Sequence, residues 1–124
     1  MAMTATGADS SATIAVPANA DWTSTGMTVH KGQSLNISAE GEVSVEPGVA
    51  TGPDGDSGRR QGAHPVMQGV GLGALLGRIG DGPPFAVRSS LATATTVDGE
   101  LSLCVNDMDR ADDTGQFIVH LQAA

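Results

Sequence analysis

The stretch that decides the fold is residues 27–45, with the sequence MTVHKGQSLNISAEGEVSV. Apolar and polar residues alternate in Met27–Val29 and again in Leu35–Ala39, and Lys31-Gly32 separates the two runs. Alternation with a period of two is typical of strands that bury one face, and a glycine turn between two such runs is typical of a β-hairpin. The sequence therefore predicts a hairpin here, followed after Gly41 by a third strand at Glu42–Val45.

The same alternation, or a short apolar run, recurs along the rest of the chain. Further strands are predicted at Thr13–Val16, Ala74–Gly80, Phe85–Val87, Leu101–Val105 and Phe117–Leu121. Pro17 ends the first of these strands and indicates a sheet edge or a corner, because proline cannot donate a hydrogen bond to a neighbouring strand. No segment has the apolar spacing of an amphipathic helix. Seven to nine short strands without helices predict an all-β fold, an antiparallel β-sandwich of the jelly-roll type.

Length and composition indicate a single domain with an aliphatic core. The chain has 124 residues, 40% of them hydrophobic, and Trp22, Phe85 and Phe117 are its only aromatic residues. Its 17 Gly and 6 Pro lie between the apolar runs without a fixed period, as expected for many tight turns. We expect residues 1–11 to be a disordered or frayed tail and residues 12–124 to form one β-sandwich domain.

The charge of the chain excludes several classes of partner. Its formal net charge is -8 at pH 7, whereas binding to nucleic acids or anionic membranes requires a basic surface. No apolar run is long enough to span a membrane, and residues 1–11 lack the basic and apolar segments of a signal peptide. We therefore expect no nucleic-acid partner and no membrane insertion. Localisation stays open: synthesis in the cytoplasm is the default, with release that needs no cleavable signal as the alternative.

Two further features of the sequence concern burial and order. The single cysteine, Cys104, lies in an apolar strand and is expected to be buried. Residues 47–73 interrupt the strand pattern with a long segment rich in Gly, Pro and polar residues. Such a segment is uncommon in a compact domain unless it carries function or contains a short element that the pattern does not reveal. It is a candidate for binding contacts and also the stretch most expected to lack order.

The densest chemical feature is an acidic loop between the last two predicted strands, residues 106–115. It holds four carboxylates, Asp107, Asp109, Asp112 and Asp113, within seven positions. Calcium takes six to eight oxygen ligands from carboxylates, amides and peptide carbonyls, so this loop suits its needs. The loop lacks the central glycine, the distal glutamate and the flanking helices of an EF-hand. The alternative is a solvated acidic turn in a chain that is acidic throughout.

Four groups of residues, taken in order along the chain, resemble a known family. They are Gly32–Gly41, Gly52–Asp56, Gly73–Gly80, and Asn106-Asp107 with Thr114–Val119. With these groups in this order, the chain resembles the LecA-like (PA-IL-like) family of calcium-dependent galactophilic bacterial lectins over Ile14–Leu121. The resemblance implies a jelly-roll, galactose-binding-domain-like sandwich in which one calcium ion bridges the protein and two adjacent sugar hydroxyl groups.

The resemblance also implies a set of site residues. The metal ligands would be the side chains of Asp107, Asp112 and Asp113 and the carbonyl groups of Ala111 and Val45. Because the loop is about two residues shorter than the family pattern, Arg110 or Asp109 could supply the carbonyl in place of Ala111. The implied sugar contacts are Asp107, Asp112, Met108, His64 and Gln61. The family has two amide side chains where this chain has Asp112-Asp113, which adds negative charge and should strengthen cation binding.

Three functions are compatible with these features. The first is a lectin that binds galactose-containing glycans through calcium and assembles as a homo-oligomer, since avidity compensates for modest single-site affinity. The second is a non-lectin interaction module with a structural calcium ion or no ion. The third is a glycosidase using paired carboxylates; it is disfavoured, because the sequence lacks a nucleophile elbow, a metal-binding histidine pair and a phosphate-binding loop. We therefore expect a calcium-binding lectin that is not an enzyme.

Overall fold

The computed structural model describes residues 10–46, 49–56, 66–67, 69–108 and 113–124, and these residues form nine β-strands and no helix. In chain order the strands are β1 Ser10–Pro17, β2 Thr23–Val29, β3 Ser34–Glu46, β4 Val49–Thr51, β5 Leu75–Ile79, β6 Phe85–Ala86, β7 Ser90–Ala94, β8 Gly99–Val105 and β9 Thr114–Ala123. They build two antiparallel sheets, which confirms the predicted all-β sandwich. Nothing in the described residues is a helix long and apolar enough to cross a membrane.

The first sheet has five strands and is organised around the long strand β3. Its order is β1-β9-β3, and the remaining edge of β3 is shared by two short strands. Residues Ser34–Ser38 of β3 pair with β7, whereas Val43–Glu46 pair with β4. Strand β1 pairs only with β9 among the described strands, so Pro17 lies on an edge strand, as predicted. Strand β1 begins at Ser10, and it therefore includes two residues that the sequence assigned to the tail.

The second sheet has four strands in the order β2-β8-β5-β6. The strands predicted from Ala74–Gly80, Phe85–Val87 and Leu101–Val105 are its members β5, β6 and β8. Strand β5 lies between β8 and β6, and its neighbouring residues Leu75 and Leu76, which point to opposite faces of the sheet, are both 0% exposed. Burial of both faces explains why its sequence is almost continuously apolar. Cys104 pairs with Leu76 across β8 and β5 and is 0% exposed, which confirms its predicted burial.

The core between the sheets is aliphatic, with Phe117 as its one fully buried aromatic residue. Its largest fully buried side chains include Leu35, Leu75, Leu101 and Leu103. Phe85 is partly buried against this core and packs on Gly77, where a Cβ atom would lie 2.9 Å from the ring. Trp22 lies outside the core; its ring stacks under the guanidinium group of Arg78, 4.7 Å from the ring centroid.

The predicted hairpin at residues 27–39 is wrong. Strand β2, which contains Met27–Val29, belongs to the second sheet, and β3, which contains Leu35–Ala39, belongs to the first. The turn between them carries the chain from one layer of the sandwich to the other. Alternation of apolar and polar residues shows which face of a strand is buried, but it looks the same for a strand in either sheet. The pattern therefore could not identify the strand with which β2 or β3 pairs.

The predicted break at Gly41 is also wrong, because β3 runs through it for 13 residues. Gly41 has a φ of 105°, and a Cβ atom there would lie 2.9 Å from the carbonyl oxygen of Gln116. Glycine is therefore needed inside the strand, where the backbone of β9 approaches closely. The segment 47–73 contains strand β4 and a bridge between Asp56 and Leu72, while residues 47–48, 57–65 and 68 lie outside the described part.

Candidate functional site

The acidic loop begins where β8 ends and finishes where β9 starts. Asp107 follows Val105 by two residues, and Asp113 directly precedes Thr114, the first residue of β9. Thr114 pairs with Ser44 of β3, so the antiparallel register sets Asp113 opposite Val45. Three of the predicted metal ligands, Val45, Asp107 and Asp113, thus come from the ends of three strands at one end of the sandwich.

Both described carboxylates of this loop are buried. Asp107 and Asp113 are each only 3% exposed, and both carboxylate oxygen atoms of Asp113 are shielded from solvent. Met108, between them in the loop, is 63% exposed. A carboxylate removed from water needs hydrogen bonds, a counter-charge or a metal ion to offset its desolvation. Oxygen donors from two carboxylates and a peptide carbonyl are the hard ligands that calcium prefers, so this donor set fits a calcium ion.

Asn106 fixes the start of the loop. Its side-chain amide donates to the carbonyl groups of Met67, Val70 and Gly71 at 3.1–3.2 Å, and its Oδ1 accepts the Met67 N–H at 2.8 Å. The Asn106 backbone also bonds in both directions, from its N–H to Ala74 and from the Gly73 N–H to its carbonyl. Asn106 is 0% exposed. It therefore joins the end of β8 to the segment that precedes β5.

Gly73 brings the segment that precedes β5 against the first sheet. Gly73 has a φ of 87°, and a Cβ atom there would lie 2.6 Å from Cγ2 of Thr51 and 3.1 Å from Cγ1 of Val45. The Gly73 N–H donates to the Asn106 carbonyl at 3.0 Å. Asn106, one residue before Asp107, is thus held to a glycine that packs on Val45. This contact explains how the end of β8 and the end of β3 meet, although they belong to different sheets.

The other predicted site residues lie outside the described part of the chain. They are Ala111 and Asp112, with the alternatives Asp109 and Arg110, in residues 109–112, and Gln61 and His64 in residues 57–65. Within the described residues, no three His, Cys, Asp or Glu side chains form a metal-binding group. The sequence-based prediction takes the remaining calcium ligands from residues 109–112. The assignments of all these residues stay predictions.

Sequence reasoning overlooked the structural role of Asn106, which it used only as part of the Asn106-Asp107 pattern shared with the family. An amide residue directly after an apolar, alternating strand is a usable signal, because a polar side chain in that position is buried and must find partners. Its partners, the backbone groups of Met67, Val70 and Gly71, come from a segment with no regular pattern. The sequence therefore gave no indication of where those partners would lie.

Comparisons with known proteins identify the family and the fold of this chain. A family model described as PA-IL-like protein matches residues 12–123. The chain belongs to the PA-IL-like protein family. This is the LecA-like family that the sequence resembles. No curated protein matches the chain. Among solved structures, the EclA N-terminal domain, a PllA-like lectin, matches with a TM-score of 0.71 and 24% identity, covering 90% of this chain and 95% of that one. At that identity, the likeness shows that this member of the PA-IL-like family shares the fold of that domain.

Proposed function

We propose that this PA-IL-like protein is a lectin that binds galactose-type sugars through a calcium ion. The proposed ligands are the side chains of Asp107, Asp112 and Asp113 and the carbonyl groups of Ala111 and Val45. One observation carries the proposal: in a chain of this family, two carboxylates are buried within one loop, at the end of the sandwich where Val45 also lies. The match to a PllA-like lectin adds support.

The described residues account for the rigidity such a site needs. Asp107 is held by the end of β8 and by the hydrogen bonds of Asn106, and Asp113 is held by the start of β9. A calcium ion held by these residues would supply coordination to adjacent sugar hydroxyl groups. Because the strand ends that carry these two residues are already hydrogen-bonded before the ion arrives, ordering Asp107 and Asp113 would cost less conformational entropy on binding. Met108 is exposed beside Asp107 and would offer an apolar contact to the sugar.

The same burial favours binding over catalysis. A glycosidase needs two carboxyl groups that reach opposite sides of a glycosidic bond. The carboxylate oxygen atoms of Asp113 are shielded from solvent, which does not suit a group that must itself reach a glycosidic bond. The proposed role is therefore non-enzymatic: Asp107 and Asp113 would coordinate the calcium ion, and the ion would bind the sugar. His64 and Gln61 are the proposed hydroxyl partners from the long segment, and homo-oligomerisation would supply avidity.

Isothermal titration of galactose tests the proposal directly. We expect heat of binding in the presence of calcium and none in EDTA. Asp107→Asn should remove the heat, because it takes a charge from the proposed calcium shell. The matched control is Asp81→Asn, the same change at an exposed residue in the turn after β5, at the opposite end of the sandwich. This control should bind as the parent protein does.

Two outcomes would overturn the lectin proposal. Galactose heat that persists in EDTA would contradict a bridging calcium ion. Calcium binding without galactose heat would favour the alternative, an interaction module whose ion only stiffens the loop. The second outcome would agree with the proposed calcium ligands but would contradict galactose binding.

A further inference from the structure

The outer face of the first sheet carries a groove that is distant from Asp107 and Asp113. Its volume is about 780 Å³, which is within the range of ligand sites in proteins. Strands β1, β9, β3 and β7 contribute its lining. Asp113 precedes the first residue of β9, whereas His120 of the groove lies seven residues further along the chain. At about 3.4 Å per residue, this separation is roughly 24 Å.

Two rows of side chains cross the floor of the groove, perpendicular to the strands. The pairing register aligns the first row as Thr13, His120, Ser38 and Ser90, one residue from each strand. All four side chains are exposed. A hydrogen bond of 3.1 Å between Thr13 Oγ1 and His120 Nδ1 orients the imidazole ring. Four neighbouring strands span about 14 Å, so the row is longer than a single small ligand requires.

The second row lies two residues away along each strand and consists of Ser11, Gln122, Asn36 and Ala92. The two rows together present hydroxyl, amide and imidazole groups and no carboxylate, amine or guanidinium group. This is notable in a chain with 14 Asp and Glu residues. Glu40 is the first acidic residue on this face, in the row beyond His120, where it pairs with Ile118.

We propose that this groove is a second carbohydrate-binding site, which takes a neutral oligosaccharide without calcium. Uncharged hydroxyl and amide groups both donate and accept hydrogen bonds, so they match a ligand that is itself uncharged and rich in hydroxyl groups. An anionic ligand would find no lysine or arginine side chain in the two rows, and a cationic one would find no carboxylate. The length of the rows favours an oligosaccharide segment over a single sugar.

A second copy of the chain fits this face less well. Protein interfaces concentrate aromatic, Met and Arg side chains in their buried centres, and the two rows contain none of these. Two identical grooved faces, placed against each other, would also enclose an empty space between them.

The absence of an aromatic ring from the two rows means that the sugar binds through hydrogen bonds without stacking, so we expect weak, rapidly exchanging binding.

Nuclear magnetic resonance with ¹⁵N-labelled protein tests this site. Cellotetraose, maltotetraose and a neutral galactotetraose are titrated in EDTA, and again in calcium with excess methyl galactoside, so that the calcium site cannot contribute. We expect at least one of the three to shift the side-chain amide signals of Asn36 and Gln122 and the backbone signal of His120. Trigalacturonate, a charged comparison, should shift them at least several-fold less.

Variants separate the groove from the calcium site. Asn36→Ala and Gln122→Ala should each weaken the response several-fold, while Asp107→Asn should leave it unchanged. Gln116→Ala is the matched control, because Gln116 is exposed on the same strand and face, outside the groove. The proposal is overturned by no localised shifts with any probe, or by equal shifts with trigalacturonate. Shifts that follow protein concentration without sugar would also overturn it, and would assign the face to a second copy.

Discussion

At the scale of single residues, Asn106 and its neighbour Asp107 have different roles at the end of β8: Asn106 holds the chain in place, and Asp107 is the proposed metal ligand. Asn106 is directed toward backbone groups of residues 67–71 and forms four side-chain hydrogen bonds with them. Asp107, the next residue, is buried in the acidic loop. Since the loop and the segment before β5 meet at Asn106, loss of this amide should affect both stability and any ion bound by Asp107.

Replacing Asn106 with Ala should lower the free energy of unfolding by about 3 kcal/mol, because the Met67 N–H and three carbonyl groups lose a buried partner. Urea denaturation monitored through Trp22 fluorescence measures this change. Asn36→Ala is the control: Asn36 is exposed on β3, so a change below about 0.5 kcal/mol is expected. Equal destabilisation by the two substitutions would show that the Asn106 amide has no special structural role.

The sequence indicated individual residues best where burial follows from composition. The aliphatic core and the buried Cys104 were predicted, and Pro17 was predicted at a sheet edge or a corner, because each of these depends on the residue itself and its own strand. Asn106 was not, because its role depends on backbone groups almost 40 positions away. The ligand assignments of Asp107, Asp113 and Val45 stay predictions, although the structure sets these residues at one end of the sandwich.

At the scale of elements, the pairing of β3 with β9 depends on two glycines that stand close across the ladder. Gly41 and Gly115 have φ values of 105° and 87°, and a Cβ atom at either would come within 3 Å of a carbonyl oxygen on the partner strand. Sequence patterns treat a glycine in a strand as a break, which is why β3 was predicted as two strands. The structure shows instead that the glycines let the longest ladder of the first sheet continue to the acidic loop.

Gly115→Ala should destabilise the domain by about 2 to 4 kcal/mol, since its Cβ would lie 2.6 Å from the Glu42 carbonyl oxygen at a strained φ. Gly32→Ala is a matched control: its φ of 92° is similar, but nothing lies within 4 Å of the added Cβ. We expect about 1 kcal/mol there, the cost of the backbone conformation alone. Thermal melts of both variants provide the comparison, and equal shifts would rule out the steric contact as the cause.

At the scale of the whole molecule, strands of both sheets converge on the acidic loop, so an ion bound there should stabilise the entire domain. Strand β8 belongs to the second sheet, and β9 and β3 belong to the first. The sequence predicted the sandwich but not this convergence, because alternation specifies the buried face of β2 or β3 without specifying its sheet. The long-range pairs, such as Thr114 with Ser44, were therefore beyond what the local pattern could reveal.

Calcium at about 100 times its dissociation constant should add about 2.7 kcal/mol of stability, and raise the melting temperature by roughly 10 °C. Asp113→Ala, which removes the ligand oxygen atoms altogether, should abolish most of this rise, whereas Asp81→Ala at an exposed residue should preserve it. Differential scanning calorimetry with and without calcium, for each variant, measures the difference independently of any effect on the ion-free protein. A full calcium response in Asp113→Ala would exclude Asp113 as a ligand.

The single cysteine gives this sandwich a native chemical reporter. Cys104 is 0% exposed, lies in β8 and is three residues from Asp107. A thiol-modifying reagent can reach its sulfur only when the residues packed around it move apart, so the rate of modification under native conditions measures how often this part of the structure opens. That rate reports on the strand that leads into the acidic loop, and it does so with no introduced label and no added sugar.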